Sequence, residues 1–164
     1  MNIETRAAHH GAAPRPELRV LTVRRPWARL IADGIKPVEN RVWATKHRGV
    51  IAIHAGNAFE PAAPADAIAT RAGRYLQPGY WAEDQHPTGI VAVAELTGVC
   101  ADSTDSPHRV RCACGPWAVP GQYHWRLSSV RPLVEPVPVR GGLGLRRLPA
   151  DVEARIWAQI EVAS

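Results

Sequence analysis

Residues 25–43 read RPWARLIADGIKPVENRVW, a short helical pattern followed directly by a strand pattern. Pro26 suits the first position of a helix, where its missing N–H costs no hydrogen bond. Apolar side chains then recur on one helical face: Trp27, Leu30 and Ile31. Gly34 suits the end of the helix because glycine adopts the left-handed conformation of a C-cap. The stretch therefore predicts a helix that ends at Gly34 and a strand that begins near Val38.

The predicted strand carries charge on one face. Side chains two residues apart in a strand point the same way, so Glu39, Arg41 and Trp43 form one row. A carboxylate, a guanidinium and an indole are costly to bury together without a purpose. The row predicts a polar pocket with a flat surface for stacking. The alternative is that Glu39 and Arg41 form a structural pair that fixes the strand.

Three side chains in this part of the chain are candidates for catalysis. Lys36 is predicted at the rim of a cleft, where it would donate to a phosphate or a carbonyl. Glu39 would accept from a base amino group or act as a general base. His54, at the end of a later predicted strand, would act as an acid, a base or a donor, with a buried structural histidine as the alternative. Arg41 and Trp43 are the candidate ligand contacts beside them.

A second group of candidates lies in residues 123–128. Tyr123 and Trp125 alternate with His124 and Arg126, and one of these sets faces inward. We expect Tyr123 and Trp125 to face the same cleft as Lys36, Glu39 and Arg41. Ser128 follows in the same strand, and it would form a Ser–Lys nucleophile pair if it lay beside Lys36.

Sulfur and imidazole ligands cluster in one short region: Cys100, His108, Cys112 and Cys114. An odd number of cysteines argues against a disulfide framework. The Cys-x-Cys spacing is unusual for zinc, whose sites ordinarily leave two or more residues between cysteines. We therefore expect free thiols, no metal and no other cofactor, with structural zinc as the alternative.

The net charge of +5 comes almost wholly from arginine, since Lys36 and Lys46 are the only lysines. Arginine binds phosphate through two hydrogen bonds and stacks on bases, so this composition fits an anionic partner. A genome rich in arginine codons would give the same excess on solvated surfaces. The chain has no apolar run that could span a bilayer and no signal-peptide pattern, so we expect a cytoplasmic protein with no membrane partner.

The patterns predict a flexible N-terminal tail over residues 1–18 and one domain over residues 19–164. Strands are expected at Leu18–Val23, Val38–Trp43, Val50–His54, Gly89–Val99, Tyr123–Ser128 and Arg131–Val137, the last broken by prolines as an edge strand would be. Helices are expected over Ala65–Tyr75 and after Pro149, where Val152, Ile156, Trp157 and Ile160 would pack inward. Short strands with peripheral helices predict an α+β fold with a small closed or nearly closed β-barrel.

The opening stretch resembles the ASCH domain, a branch of the PUA-like superfamily. The shared pattern is a Pro-Trp-Ala-x-Leu-Ile helix, then Gly-x-Lys-x-x-Glu-x-Arg, a tryptophan, and Arg-Gly-x-x-x-Ile-His-Ala up to residue 55. The resemblance continues through residues 89–96, 116–127 and 140–145. It implies the PUA-like pseudobarrel.

The resemblance also implies an association with RNA, because related domains hold a flipped or modified base in an aromatic cleft. Some ASCH proteins hydrolyse the acyl group of acetylated cytidine with a lysine, a threonine and a glutamate, but here Glu39 stands where the threonine would be. A ribonuclease role is also attached to the family. We therefore expect a domain that binds nucleic acid, RNA in preference to DNA, and recognises a base or modified nucleoside. The alternatives are a small hydrolase, either an amidohydrolase or a ribonuclease, and a protein-interaction domain.

Overall fold

The computed structural model describes residues 15–60, 65–72, 76, 78–101, 112 and 114–162. Within these residues the strands are β1 (Arg19–Arg25), β2 (Val38–Arg41), β3 (Gly49–Phe59), β4 (Gly89–Ala101), β5 (Tyr123–Val137) and β6 (Leu145–Arg147). The α-helices are α1 (Trp27–Ala32), α2 (Ala65–Ala72) and α3 (Ala150–Val162). Short 3-10 helices lie at Pro78–Trp81, Glu83–Gln85 and Gly115–Trp117.

The strands form one mixed sheet in the order β2-β5-β4-β3-β1-β6. Only β1 and β3 pair in parallel among the described ladders, and the other neighbours are antiparallel. The expected α+β class is confirmed. Of the expected closed or nearly closed barrel, the closed form is wrong, because no ladder joins the edge strands β2 and β6 in the described part of the chain.

One side chain links two strands that are not neighbours in the sheet. Arg41 Nη1 on β2 donates to the Thr22 carbonyl of β1 at 3.3 Å. Since three strands separate β2 from β1 in the sheet order, the sheet must curl for this bond to form. The edge strands β2 and β6 have only 4 and 3 residues, so they offer few backbone groups for the ladder that would close a barrel.

The sheet buries apolar side chains on both faces because neighbouring strand residues point opposite ways. On one face, Leu21 and Ile53 pack with α1 and Trp125. On the other face, Val20 and Ala52 pack with α3. The predicted inward face of α3 is confirmed, since its buried residues are Val152, Ile156, Trp157 and Ile160.

The C-terminus of α1 fixes the position of the following strand. Gly34 has a φ of 69°, and its N–H donates to Ile31 O while the Ile35 N–H donates to Leu30 O. This is the pattern of a glycine C-cap, as the sequence predicted. The Lys36 N–H also bonds to Leu30 O, so Lys36 is held against the end of the helix.

Several predicted boundaries are corrected: β2 ends at Arg41 rather than Trp43, and β3 continues to Phe59 rather than ending at His54. β5 is one continuous strand of 15 residues rather than two, and shifts of its register against β4 accommodate Ser129, which has a φ of 48°.

Leu18 is fully buried, so it belongs to the core and not to a flexible tail. Most of the predicted tail, residues 1–14, lies outside the described residues. The predicted end of the Ala65–Tyr75 helix, residues 73–75, does so as well.

Candidate functional site

A cavity of about 780 Å³ opens beside β2 and the end of α1. Part of its lining is the strand segment singled out in the sequence: Lys36, Glu39, Asn40, Arg41, Val42 and Trp43. The other described lining residues come from distant segments of the chain: Arg24, Trp27, Glu60, Arg71, Trp117, Val119, Gln122, Leu143 and Gly144. The predicted row Glu39, Arg41 and Trp43 therefore faces a single cavity together with Lys36.

Lys36 and Glu39 form an ion pair in the cavity wall. Lys36 Nζ lies 2.6 Å from Glu39 Oε2 and 2.5 Å from the carbonyl oxygen of Val38. The residues are 4% and 6% exposed, so Lys36 is not at the rim, as the sequence suggested. An ammonium group has three N–H donors, and within the described chain these two bonds leave one of them for a ligand.

Arg41 stands between the carboxylate and an aromatic ring. Its Nη1 atom lies 3.5 Å from Glu39 Oε1, and its guanidinium carbon lies 5.7 Å from the centroid of the Trp43 ring. The Trp43 ring contacts Trp125 edge-on, with centroids 4.7 Å apart. Trp125 in turn donates from Nε1 to the Trp43 carbonyl at 3.2 Å. The cavity wall thus contains the cation of Arg41 and the aromatic ring of Trp43, and the buried Trp125 holds that ring in place.

Residues that were not predicted as site residues form the other walls of the cavity. Asn40 donates to the Trp117 carbonyl at 2.9 Å and accepts from the Val119 N–H at 3.0 Å, which fixes the loop that carries Trp117. Trp27 donates from Nε1 to Glu60 Oε2 at 2.9 Å. It lines the cavity, whereas its place on the apolar face of the helix suggested a core position. Only the Pro-Trp-Ala motif at residues 116–118 gave a sequence signal for Trp117.

The cavity has more cationic than anionic lining groups. The carboxylates are Glu39 and Glu60, and the cations are Arg24, Lys36, Arg41 and Arg71. Arg24 and Arg71 are exposed, whereas Lys36 and Glu39 neutralise each other in the wall. The uncompensated positive charge therefore lies on the solvent side of the cavity.

Three predicted ligand contacts lie elsewhere. Trp125 is fully buried in the core between the sheet and α1, so the prediction that it lines the cleft is wrong. Tyr123 is 38% exposed and Ser128 is half-buried opposite Glu95 on β4, and neither is among the described lining residues. Trp125 and Leu127 point into the core from one face of β5, and Tyr123, on the same face, lies at the exposed start of the strand.

His54 is buried outside the described lining of the cavity. Its Nε2 atom bonds to the Val139 carbonyl at 2.9 Å, and a Cβ added to Gly141 would lie 2.8 Å from its ring. Burial lowers the pKa of His54 below its usual range, against the opposing effect of the bond to Val139. This environment matches the structural alternative for His54 rather than an acid or base at the cavity.

The cysteine cluster also has a definite arrangement. Cys100, Cys112, Cys114 and His124 place one ligand atom each within 4.8 Å of all the others, and none of the cysteines is in a disulfide. His108, the histidine in the sequence cluster, lies outside the described residues. His124 follows the last cysteine in the chain and was not selected, because His108 lies between the cysteines and was taken as the histidine of the cluster.

Comparison with known proteins agrees with this fold. The sequence model of the ASCH domain matches residues 21–137. The fold is similar to the crystal structure of a point mutant of ZmASCH from Zymomonas mobilis, with a TM-score of 0.50, 12% identity, and coverage of 87% of this chain and 98% of that chain. A search of curated protein sequences found no match. Among the described helices, none has the length and apolar character needed to cross a membrane. Since the match spans more than half of its length, the chain belongs to the ASCH domain family.

Proposed function

We propose that this protein binds single-stranded RNA and holds one base or nucleoside in the cavity beside β2. The observation that carries the proposal is the convergence of Lys36, Glu39, Arg41 and Trp43 on one cavity of about 780 Å³. ASCH domains are RNA-binding in general, which supports the choice of partner. The cavity volume falls in the range of sites that enclose a small molecule.

The polar groups of the cavity suit the edge of a base. Glu39 presents carboxylate oxygens that accept from a base amino group, and Arg41 presents N–H groups that donate to a base carbonyl or ring nitrogen. The third N–H of Lys36 donates in the same region. Trp43 supplies a flat face on which a base stacks, a contact worth about 1–3 kcal/mol.

The exposed arginines suit the backbone of the nucleic acid. Arg24 and Arg71 lie where the phosphates next to an inserted base would pass, because they line the solvent side of the same cavity. A base reaches an enclosed site only after it leaves its stack, which costs least in a single strand. The proposal therefore specifies single-stranded RNA rather than a duplex.

A second candidate function is hydrolysis of an acyl group on a modified nucleoside. The 2.6 Å contact between Lys36 Nζ and Glu39 Oε2 favours it, since a lysine can polarise a carbonyl while a carboxylate takes a proton from attacking water. Binding without turnover is the stronger candidate. Both carboxylate oxygens of Glu39 already pair with cations, and neither His54 nor Ser128 is among the described lining residues.

The test of binding is fluorescence anisotropy with labelled single-stranded RNA and with a duplex of the same sequence. We expect the single strand to bind more tightly, and its affinity to fall steeply as salt rises, because arginines release counterions from phosphate. Arg41→Gln is expected to weaken binding about tenfold or more. The matched control is Arg155→Gln, which removes an exposed arginine of α3 outside the described lining.

Absence of binding to single-stranded RNA would overturn the proposal, as would an equal effect of the Arg41 and Arg155 substitutions. The second candidate is tested by incubation with acetylcytidine and chromatographic detection of cytidine. Turnover that Lys36→Met and Glu39→Gln both abolish would establish hydrolysis in place of simple binding.

A further inference from the structure

Four metal-binding side chains meet at the ends of β4 and β5. Cys100 and His124 are direct cross-strand partners in the antiparallel register of these strands. Cys112 and Cys114 reach the same place from the segment that leads into β5. The grouping is therefore set by strand pairing as well as by the short Cys-x-Cys spacing.

The separations between ligand atoms suit one small ion. Each pair lies within 4.8 Å, with Cys100 Sγ 2.9 Å from Cys114 Sγ and Cys112 Sγ 2.7 Å from His124 Nδ1. A tetrahedral zinc ion with Zn–S bonds of about 2.3 Å sets its sulfur ligands about 3.8 Å apart. These two pairs are closer than this, so the thiols would have to rotate about their Cα–Cβ bonds when an ion binds.

The imidazole of His124 is already oriented as a metal ligand. The ring is fully buried, and Nε2 lies 2.8 Å from the carbonyl oxygen of Val119. A carbonyl only accepts, so Nε2 carries the proton and Nδ1 directs its lone pair toward the thiols. Metal-bound histidines are held in this way, with the second ring nitrogen donating to a carbonyl or carboxylate.

We propose that Cys100, Cys112, Cys114 and His124 bind one zinc ion in a structural Cys₃His site. Four protein ligands complete a tetrahedron and leave no position for substrate, which is the arrangement of structural rather than catalytic zinc. The proposal departs from the sequence-based expectation of free thiols because its fourth ligand is His124, which the β4–β5 register places opposite Cys100.

The site would stabilise one wall of the cavity. His124 bonds to the Val119 carbonyl, the Val119 N–H bonds to Asn40, and Asn40 bonds to the Trp117 carbonyl. Trp117, Val119 and Asn40 all line the cavity. The zinc proposal does not depend on the proposed function, because it rests on the ligand set alone.

The thiols differ in how readily they ionise for a metal. Burial opposes ionisation of Cys112, but hydrogen bonds with Cys114, Cys100 and His124 outweigh it and lower its pKa. Burial and the neighbouring thiols raise the pKa of Cys114 to about 12. Since zinc binds thiolates, uptake must release protons and weaken as the pH falls.

The test is elemental analysis of the full chain, purified without chelator and without a metal-affinity step. We expect about one zinc per chain, and a lower melting temperature after removal of the metal. Cobalt exchanged into the site is expected to give the absorption of tetrahedral thiolate-bound Co²⁺, which a weakly bound surface ion does not give. Cys112→Ser and His124→Asn are expected to lose the metal, whereas His47→Asn, a half-buried histidine remote from the cluster in the chain, keeps it.

Two results with the unmodified chain would overturn the proposal, so it does not depend on the folding of any variant. One is a zinc content far below one per chain after purification and dialysis against zinc. The other is a single reactive thiol in the denatured, unreduced protein, which would show that two of the cysteines form a disulfide instead of a metal site.

Discussion

Lys36 and Glu39 form the short, buried ion pair of the cavity, while Arg41 is the more distant partner of the same carboxylate. The contacts measure 2.6 Å and 3.5 Å, and the side chains of Lys36 and Arg41 are 5% and 21% exposed. The sequence suggested the opposite assignment, with Arg41 as the structural partner and Lys36 at the rim. The difference arises because the glycine C-cap of α1 holds the Lys36 backbone against Leu30.

This relationship predicts that Lys36→Met is more damaging to stability than Arg41→Met. Removal of one partner of a buried pair leaves an uncompensated charge, at a cost of about 3–5 kcal/mol. Loss of the longer, partly exposed Arg41 contact is expected to cost about 1 kcal/mol or less. Urea denaturation followed by circular dichroism measures both.

The double variant Lys36→Met/Glu39→Leu provides the control. It removes both charges, so we expect it to recover most of the stability that Lys36→Met loses. If the double variant is as unstable as the single one, the loss comes from packing and not from the stranded carboxylate.

The aromatic contacts give a second prediction, about affinity for single-stranded RNA. Trp43→Leu removes the stacking face in the cavity, and we expect about tenfold weaker binding. Tyr123→Leu removes a ring outside the described lining, and we expect affinity within about twofold of the original, because it loses no base contact. Anisotropy titrations measure both, and Trp43→Phe, which keeps a ring, is expected to lie between them.

Local patterns in the sequence were sufficient where neighbouring residues determine the structure. The end of α1 at Gly34 and the buried face of α3 follow from a C-cap and a helical repeat, and both were predicted. Glu39, Arg41 and Trp43 line one cavity, as predicted, but alternation alone does not explain this, because β2 ends at Arg41 and Asn40 and Val42 line the same cavity.

Features that depend on distant pairing were not predictable in the same way. The alternation of Tyr123 and Trp125 did not show whether their shared face would meet a cleft or the core, and in the structure Trp125 packs in the core with Leu21 and Ile53. His124 lies beside the cysteines because it pairs with Cys100 across β4 and β5, and the spacing of residues along the chain does not reveal this pairing. The open sheet likewise depends on how far the edge strands extend, which their apolar pattern does not encode.

A third prediction concerns pH. Burial lowers the pKa values of His54 and His86 below the usual 6.5 in the folded protein. Between about pH 6.5 and the lowered values, the unfolded chain binds protons that the folded chain does not, so stability falls as the pH falls. We expect the melting temperature to drop from about pH 7.5 to about pH 5.5, and to drop less in His54→Gln. An unchanged pH dependence in that variant would show that His54 does not contribute.

Two adjacent glycines give a fourth prediction. A Cβ at Gly141 would lie 2.8 Å from the His54 ring, which is buried and bonded to Val139, so the ring has no room to move. We expect Gly141→Ala to cost about 1–3 kcal/mol. The atoms nearest to a Cβ at Gly142 belong to the end of the exposed Arg146 side chain, which can move aside. We therefore expect Gly142→Ala to change stability by less than about 0.5 kcal/mol in the same urea titration.

The buried guanidinium of Arg25 joins segments that are distant in sequence. It donates to the carbonyls of Gly56, Asn57 and His86 at 3.0, 2.7 and 3.0 Å, and to Glu83 Oε1 at 2.9 Å. Arg25 is 9% exposed, and its bonds to the Gly56 and His86 carbonyls are buried. One planar group thus fixes β3 against the segment that carries Glu83 and His86.

We therefore predict that Arg25→Lys destabilises the protein although it keeps the charge. A lysine has three donors on a single atom and cannot reach four acceptors arranged around a plane, so buried carbonyls lose their partners. The expected cost is about 2 kcal/mol, measured by urea denaturation. Arg24→Lys, the same substitution at the exposed neighbouring position, is the matched control and is expected to change stability by less than about 0.5 kcal/mol. Equal effects at the two positions would show that Arg25 contributes through its charge alone and not through the geometry of its hydrogen bonds.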